Sequence, residues 1–252
     1  MHPLQLPTAA QLENHRWSVV SLVAANVIPL AGVLLLGWRV FDVVFVYWLE
    51  NVVIGAINVL KILTCSPDPG LVAQRYAERL ASLPPEQREQ LEKLTAGGAA
   101  WNASKLFFAP FFTVHYGLFC FVHGVFVGVL AGEGGPLGGS MNPFGTAIEA
   151  LQSPALLVAA IGLAASHLVS YFTNYLGRGE YRRLTPPELM IAPYGRVVVL
   201  HVAIVLSGFF VMTLGSPVWL LLLLVIGKTL FDLTLHLREH ERGAGSKALG
   251  AS

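Results

Sequence analysis

The chain has 252 residues, of which 54% are hydrophobic and only 12% charged, about half the charged share of a soluble globular protein. Its formal net charge of +1 offers no general attraction to nucleic acid, and no G-x-x-x-x-G-K-[ST] phosphate loop occurs. Nucleic-acid and nucleotide partners are therefore set aside, and the two cysteines, Cys65 and Cys120, form no disulfide framework.

The apolar residues gather in six runs of roughly 20 residues, the length that crosses a bilayer core as helix. The expected fold is all-α: a polytopic helix bundle, one membrane domain over residues 1–252, with spans near 17–38, 42–64, 105–131, 154–176, 196–215 and 217–237. The first run, Trp17 to Trp38, lacks a basic n-region and is too long for a signal-peptide core, so it is expected to stay as a span.

The connections alternate in charge. Segment 65–104 carries Arg75, Arg79, Arg88 and Lys93, segment 177–195 carries Arg178, Arg182 and Arg183, and the flexible tail 238–252 carries Arg238, Arg242 and Lys247. Segment 132–153 and the short join at Ser216 and Pro217 carry no Lys or Arg, so the positive-inside rule places both termini in the cytoplasm of a cell with an inner membrane. Only Arg39, between the first two spans, runs against this.

The long connection contains PDPGLVAQRYAERLASL and PPEQREQLEKL, each opening with proline and spacing apolar residues by three or four. That pattern predicts a short cytoplasmic amphipathic hairpin that covers a surface. In 132–153, GEGGPLGGSMNPFG is loop-like and NPFGTAIEALQS is expected to form a short surface helix. No internal repeat is visible, so inverted-repeat transport gains no support.

Ionisable groups in hydrocarbon are expensive and mark function. The second span holds Glu50, Asn51, Asn58 and Lys61, the third His115 and His123, the fourth His167, Ser170 and Asn174, the fifth His201, and the sixth Lys228, Asp232 and His236. At about 1.5 Å per residue, His115, His167, His201, Lys228 and Asp232 fall in the cytoplasmic half, whereas His123 lies about 12 Å further out than His115. His115 and His123 are thus too far apart to hold one metal ion together. His167, Ser170 and Asn174 form one stripe, and Lys228, Asp232, His236 and His240 another at intervals of four.

The sharpest chemical reading is a Zn, Fe or Cu site from His115, His167, His201, Asp232 and His236, since imidazole and carboxylate are the ligands such ions take in bundle cores. In an enzyme version Asp232 and Glu50 act as catalytic acid or base groups on a lipid or small molecule. A single haem between His115 and His167 is the less favoured cofactor; a second haem lacks a partner for His123, and no C-x-x-C-H is present. The alternative is a proton-coupled transporter or channel with Glu50, Lys228 and His123 in a relay or ion pair.

The bland reading is a non-catalytic membrane module in which each histidine bonds a neighbouring carbonyl, Lys61 snorkels, and Lys228 pairs with Asp232. Glu50 resists it, having no basic residue within two turns. Asn51, Asn58 and Gly55 serve as packing glue. Pro29, Pro110, Gly117, Gly124 and Gly128 permit bends and close helix approach, to the same chain or to a second copy in a homo-oligomer. There is no G-x-S-x-G elbow, and Cys120 among phenylalanines is expected to be inert.

YWLEN at 47–51, HYGLFCFVHG at 115–124 and DLTLHLREH at 232–240 together resemble a family of prokaryotic multi-pass membrane proteins classed as a domain of unknown function. The resemblance implies a multi-helix inner-membrane protein without an assigned activity. His236 and His240 are also similar to the H-x-x-x-H helix of intramembrane zinc hydrolases, but the serine and histidine that this group spaces four apart on an early helix are absent here.

Overall fold

The computed structural model describes residues 30–72, 74, 84–85, 98–131, 140–216 and 218–230. Among these there are helices and no strand. Besides helical residues at 69–72, 74 and 85, they are α1 (30–36), α2 (Val40–Thr64), α3 (Gly98–Ala131), α4 (Pro143–Ala150), α5 (Pro154–Ser170), α6 (Pro186–Ile191), α7 (Tyr194–Leu214) and α8 (Val218–Leu230). A π-helical stretch, Tyr171–Leu176, continues α5, and a 3-10 turn, Glu180–Arg182, precedes α6.

Four stretches are long and apolar enough to cross a membrane: Val40–Thr64, Trp101–Ala131, Pro154–Leu176 and Pro186–Leu206. The first of the six predicted spans lies mostly outside the described residues, and α8 is described for 13 residues. The amphipathic hairpin also falls largely outside them, as does the tail. The largest shift is in the fourth stretch, which begins ten residues before the predicted 196, inside what reads as a connection. Pro186, Pro187 and Pro193 obscured it, because proline reads as loop although it is tolerated in a first helical turn. The predicted short helix is α4, with Pro143, Thr146 and Ala150 buried.

The chain divides into two compact units. One comprises Met1–Phe45, Val125–Asn142 and Gly195–Ser252; the other comprises Val46–Gly124 and Pro143–Tyr194. In the first unit, α1 ends at Gly37, whose φ of 72° suits a residue without a side chain. The Trp38 N–H then returns to the Gly32 carbonyl at 3.1 Å. Gly215, with φ 69°, turns α7 into α8, and Phe210 stacks on Trp219 with centroids 5.5 Å apart. Val199 meets the bare backbone of Gly227 further along the same hairpin.

The second unit is organised by one seam on α2. Trp48, Asn51, Gly55, Asn58, Ile62 and Cys65 alternate spacings of three and four, so they form a single stripe, and all but the half-buried Asn51 are buried. Tyr116 of α3 lies over Gly55, where a Cβ would come within 2.5 Å of the ring, and its hydroxyl donates to the Asn51 carbonyl at 3.0 Å. One turn up, the Trp48 indole rests on Gly124 and donates to the Cys120 carbonyl at 2.7 Å; Pro143 of α4 closes the same contact. Small residues allow this approach, which in lipid supplies the dispersion contacts that hold helices together.

The lower end of the stripe is capped by the π-helical stretch. Its wide turn, closed by the Gly177 N–H on the Phe172 carbonyl at 2.9 Å, faces Tyr171 and Tyr175 toward the end of α2. Tyr175, fully buried, donates to the Lys61 carbonyl at 2.7 Å, and Tyr171 donates to Thr64 Oγ1 at 3.0 Å. Helix-end carbonyls need such partners. Beyond them the Ser66 and Asp68 N–H groups donate to the Tyr181 and Arg182 carbonyls, and the Asp68 carboxylate lies 3.6 Å from the Arg182 guanidinium.

Candidate functional site

α3 is 34 residues long, about 51 Å, against a hydrocarbon layer of about 30 Å. As a membrane-crossing helix it would project beyond that layer or tilt within it. His115 lies ten residues above Lys105, the last charge before an uncharged stretch from Leu106 to Ala131. That separation of about 15 Å sets the histidine near mid-membrane if Lys105 marks the headgroup level.

His115 is exposed on the surface of its unit. Its Nδ1 lies 2.6 Å from the hydroxyl of Tyr194, the first residue of α7. The ring stacks on Phe111, with centroids 5.3 Å apart and planes 12° apart, and meets the edge of Phe119 at 5.2 Å. Tyr194 is in turn braced edge-on by Phe112 and Tyr116. His115 Nε2 has no hydrogen-bond partner among the described residues.

Rings at intervals of four extend this arrangement into a column. Phe107 stacks on Phe111 at 5.7 Å and 14°, Phe111 on His115, His115 against Phe119, and Phe119 against His123 at 6.0 Å. The two histidines of HYGLFCFVHG thus share a face, with Phe119 between them. Their surroundings are opposite: His123 is 1% exposed and engaged by its neighbours, whereas His115 opens outward.

The other sequence candidates are distributed as follows. Glu50 is half-buried on α2, and His167 is half-buried on α5 just before the π-helical stretch. His201 is exposed on α7 and Lys228 half-buried on α8, both in the first unit. All four have interactions with neighbours. Asp232 and His236 lie outside the described residues. Among the described residues no three His, Cys, Asp or Glu side chains form a group able to hold a metal ion.

Asn58 is the glue the sequence predicts, donating to the Leu189 carbonyl at 2.7 Å; Asn51 instead donates to Tyr47 of its own helix at 2.9 Å. The Asn51 side-chain oxygen is buried without a hydrogen-bond partner among the described residues. The stripe on α5 bonds to itself, Asn174 to Ser170 Oγ at 3.1 Å. Lys61 sits 5.3 Å from the centroid of Tyr175, which the snorkelling expectation did not foresee.

Cys65, just beyond α2, is fully buried and donates to the Ile62 carbonyl. Burial pushes its thiol up, while the charge of Lys105 and a backbone hydrogen bond act the other way. Since the thiolate is the nucleophile, maleimide labelling of Cys65 in a Cys120→Ala background at pH 7 is expected to run at least tenfold slower in native protein than after denaturation. Equal rates would show that the thiol is open.

The fold and site together define a helical protein built for lipid, with an outward-facing histidine held by a tyrosine inside one unit. The chain belongs to the family of unknown function DUF6498, whose model matches residues 8–248. The comparisons with curated proteins and with solved structures found no match.

Proposed function

We propose that the protein is a multi-pass protein of the inner membrane, with both termini cytoplasmic, whose working group is the His115–Tyr194 pair. That pair holds a lipid-soluble small molecule through a hydrogen-bond acceptor. The alternation of basic and non-basic connections supports the orientation. The observation that carries the site is that His115, exposed on an apolar helix, has its Nδ1 engaged by Tyr194 and no hydrogen-bond partner for Nε2 among the described residues.

A phenol is a far stronger acid than a neutral imidazole, so the tautomer this reading takes is the one in which the Tyr194 hydroxyl donates to Nδ1 and the ring proton stays on Nε2. An N–H facing hydrocarbon costs several kcal/mol, roughly, unless an acceptor meets it. The bound molecule supplies that acceptor. The opposite tautomer would offer a lone pair, as in a metal-ligating histidine oriented by its other nitrogen.

The test is purification in a polymer that retains native lipid, followed by solvent extraction, mass spectrometry and elemental analysis. A lipophile bearing an acceptor is expected near one per chain, falling at least tenfold in His115→Leu and less in Tyr194→Phe, with unchanged thermal stability in both. No such lipophile, or equal amounts in His115→Leu, overturns the proposal. A stoichiometric metal lost from His115→Leu would instead make His115 a metal ligand, as the histidine and aspartate cluster of the sequence suggests.

A further inference from the structure

The reading above leaves open which acceptor reaches His115, and depth, shape and charge narrow the choice. We propose, resting on that reading, that the site takes the ring of a lipid-soluble quinone. Phospholipid ester carbonyls lie at the edges of the hydrocarbon layer, about 15 Å from its middle, and so do not meet a mid-span donor. A quinone is uncharged, carries its carbonyls on the ring, and resides within the layer. Its acceptor is therefore at the right depth.

The receiving surface is also flat. Phe107 and Phe111 stack nearly parallel, at 14°, and Phe111 and His115 do so at 12°, while both phenylalanines keep much of their surface open, at 63% and 43% exposure. A planar ring lying along this staircase stacks on Phe111 as its carbonyl accepts from Nε2. Val114 and Leu118, 73% and 59% exposed on neighbouring positions, offer apolar contact to an isoprenoid tail. The absence of Asp, Glu, Lys and Arg from Leu106 to Ala131 favours a neutral ligand over a charged one.

The experiment uses the full chain in phosphatidylcholine nanodiscs with ¹⁵N-labelled histidine, the His115 Nε2 resonance being identified by its loss in His115→Leu. A benzoquinone carrying a ten-carbon alkyl chain is titrated, alongside an alkylbenzene of equal chain length and a diacylglycerol. The quinone is expected to shift that resonance saturably, the alkylbenzene to bind at least tenfold more weakly, and His115→Leu to weaken quinone binding by about tenfold. Phe111→Leu, which keeps the donor, is expected to weaken it about threefold.

Equal binding of quinone and alkylbenzene, or full binding by His115→Leu, overturns the proposal. A shift with diacylglycerol and none with quinone shows that the site takes an acceptor of another class. No shift with either removes the reading of the site as well. Disulfide cross-linking through Leu118→Cys, which lies beside Phe111 on this face, overturns the proposal if quantitative in native membranes, by showing the face covered by a second copy.

Discussion

Gly55→Leu is expected to destabilise the protein by about 3 kcal/mol, the upper range for an overpacked core. The added Cβ alone would stand 2.5 Å from the Tyr116 ring, so the ring must move. Tyr116 then loses its bond to the Asn51 carbonyl and its edge contact with Tyr194, which braces His115. The damage therefore extends from the seam to the site. Denaturant titration in mild detergent measures it, and Gly55→Leu with Tyr116→Ala should recover more than about 1 kcal/mol, since residues in contact are coupled. Additive losses would show that the seam does not pass through this pair.

Trp48→Ala is expected to cost about 3 to 5 kcal/mol, because a large buried side chain leaves a cavity that the surrounding helices cannot close. Trp48 is 8% exposed and touches Gly124, with Pro143 against the same glycine, so its removal unseats α3 and α4 together. Trp48→Phe separates the contributions. It retains most of the volume and removes the hydrogen bond to the Cys120 carbonyl, so a loss of about 1 kcal/mol is expected. A larger loss in Trp48→Phe than in Trp48→Ala would mean that the hydrogen bond, not the packing, sets this contact.

His115 was visible in the sequence because an ionisable residue in an apolar run contrasts with its neighbours, and its partner was not. Tyr194 follows Pro193 in a stretch rich in arginine and proline, which reads as a connection, and tyrosine leaves no charge signal. A tyrosine that opens an apolar run at a depth matching an orphan histidine was the clue available. Gly55 beside Asn51 and Asn58 did announce a packing seam, but spacing alone does not tell Asn58, which bonds across to Leu189, from Asn51, which bonds within its own helix.

The apolar helices were legible for the same reason that their details were not. Twenty apolar residues identify a helix, but a uniformly apolar helix has no polar face to show which side meets a neighbour. The π-helical stretch is a further case. His167, Ser170 and Asn174 were placed on one face by a period of 3.6, and the turn widens at Tyr171 because the Tyr171 and Tyr175 hydroxyls reach Thr64 and Lys61. That demand comes from α2 and leaves no local trace.

The outer surface bears on how the chain is made. Leu35, Leu106 and Val114 are 81%, 80% and 73% exposed, beside many other bare apolar side chains. Such a polypeptide aggregates if it is released into water before it meets lipid. Such a chain is therefore expected to need lipid or detergent around it as soon as it folds. Overproduced beyond the membrane available to receive it, such a chain is expected to collect in inclusion bodies.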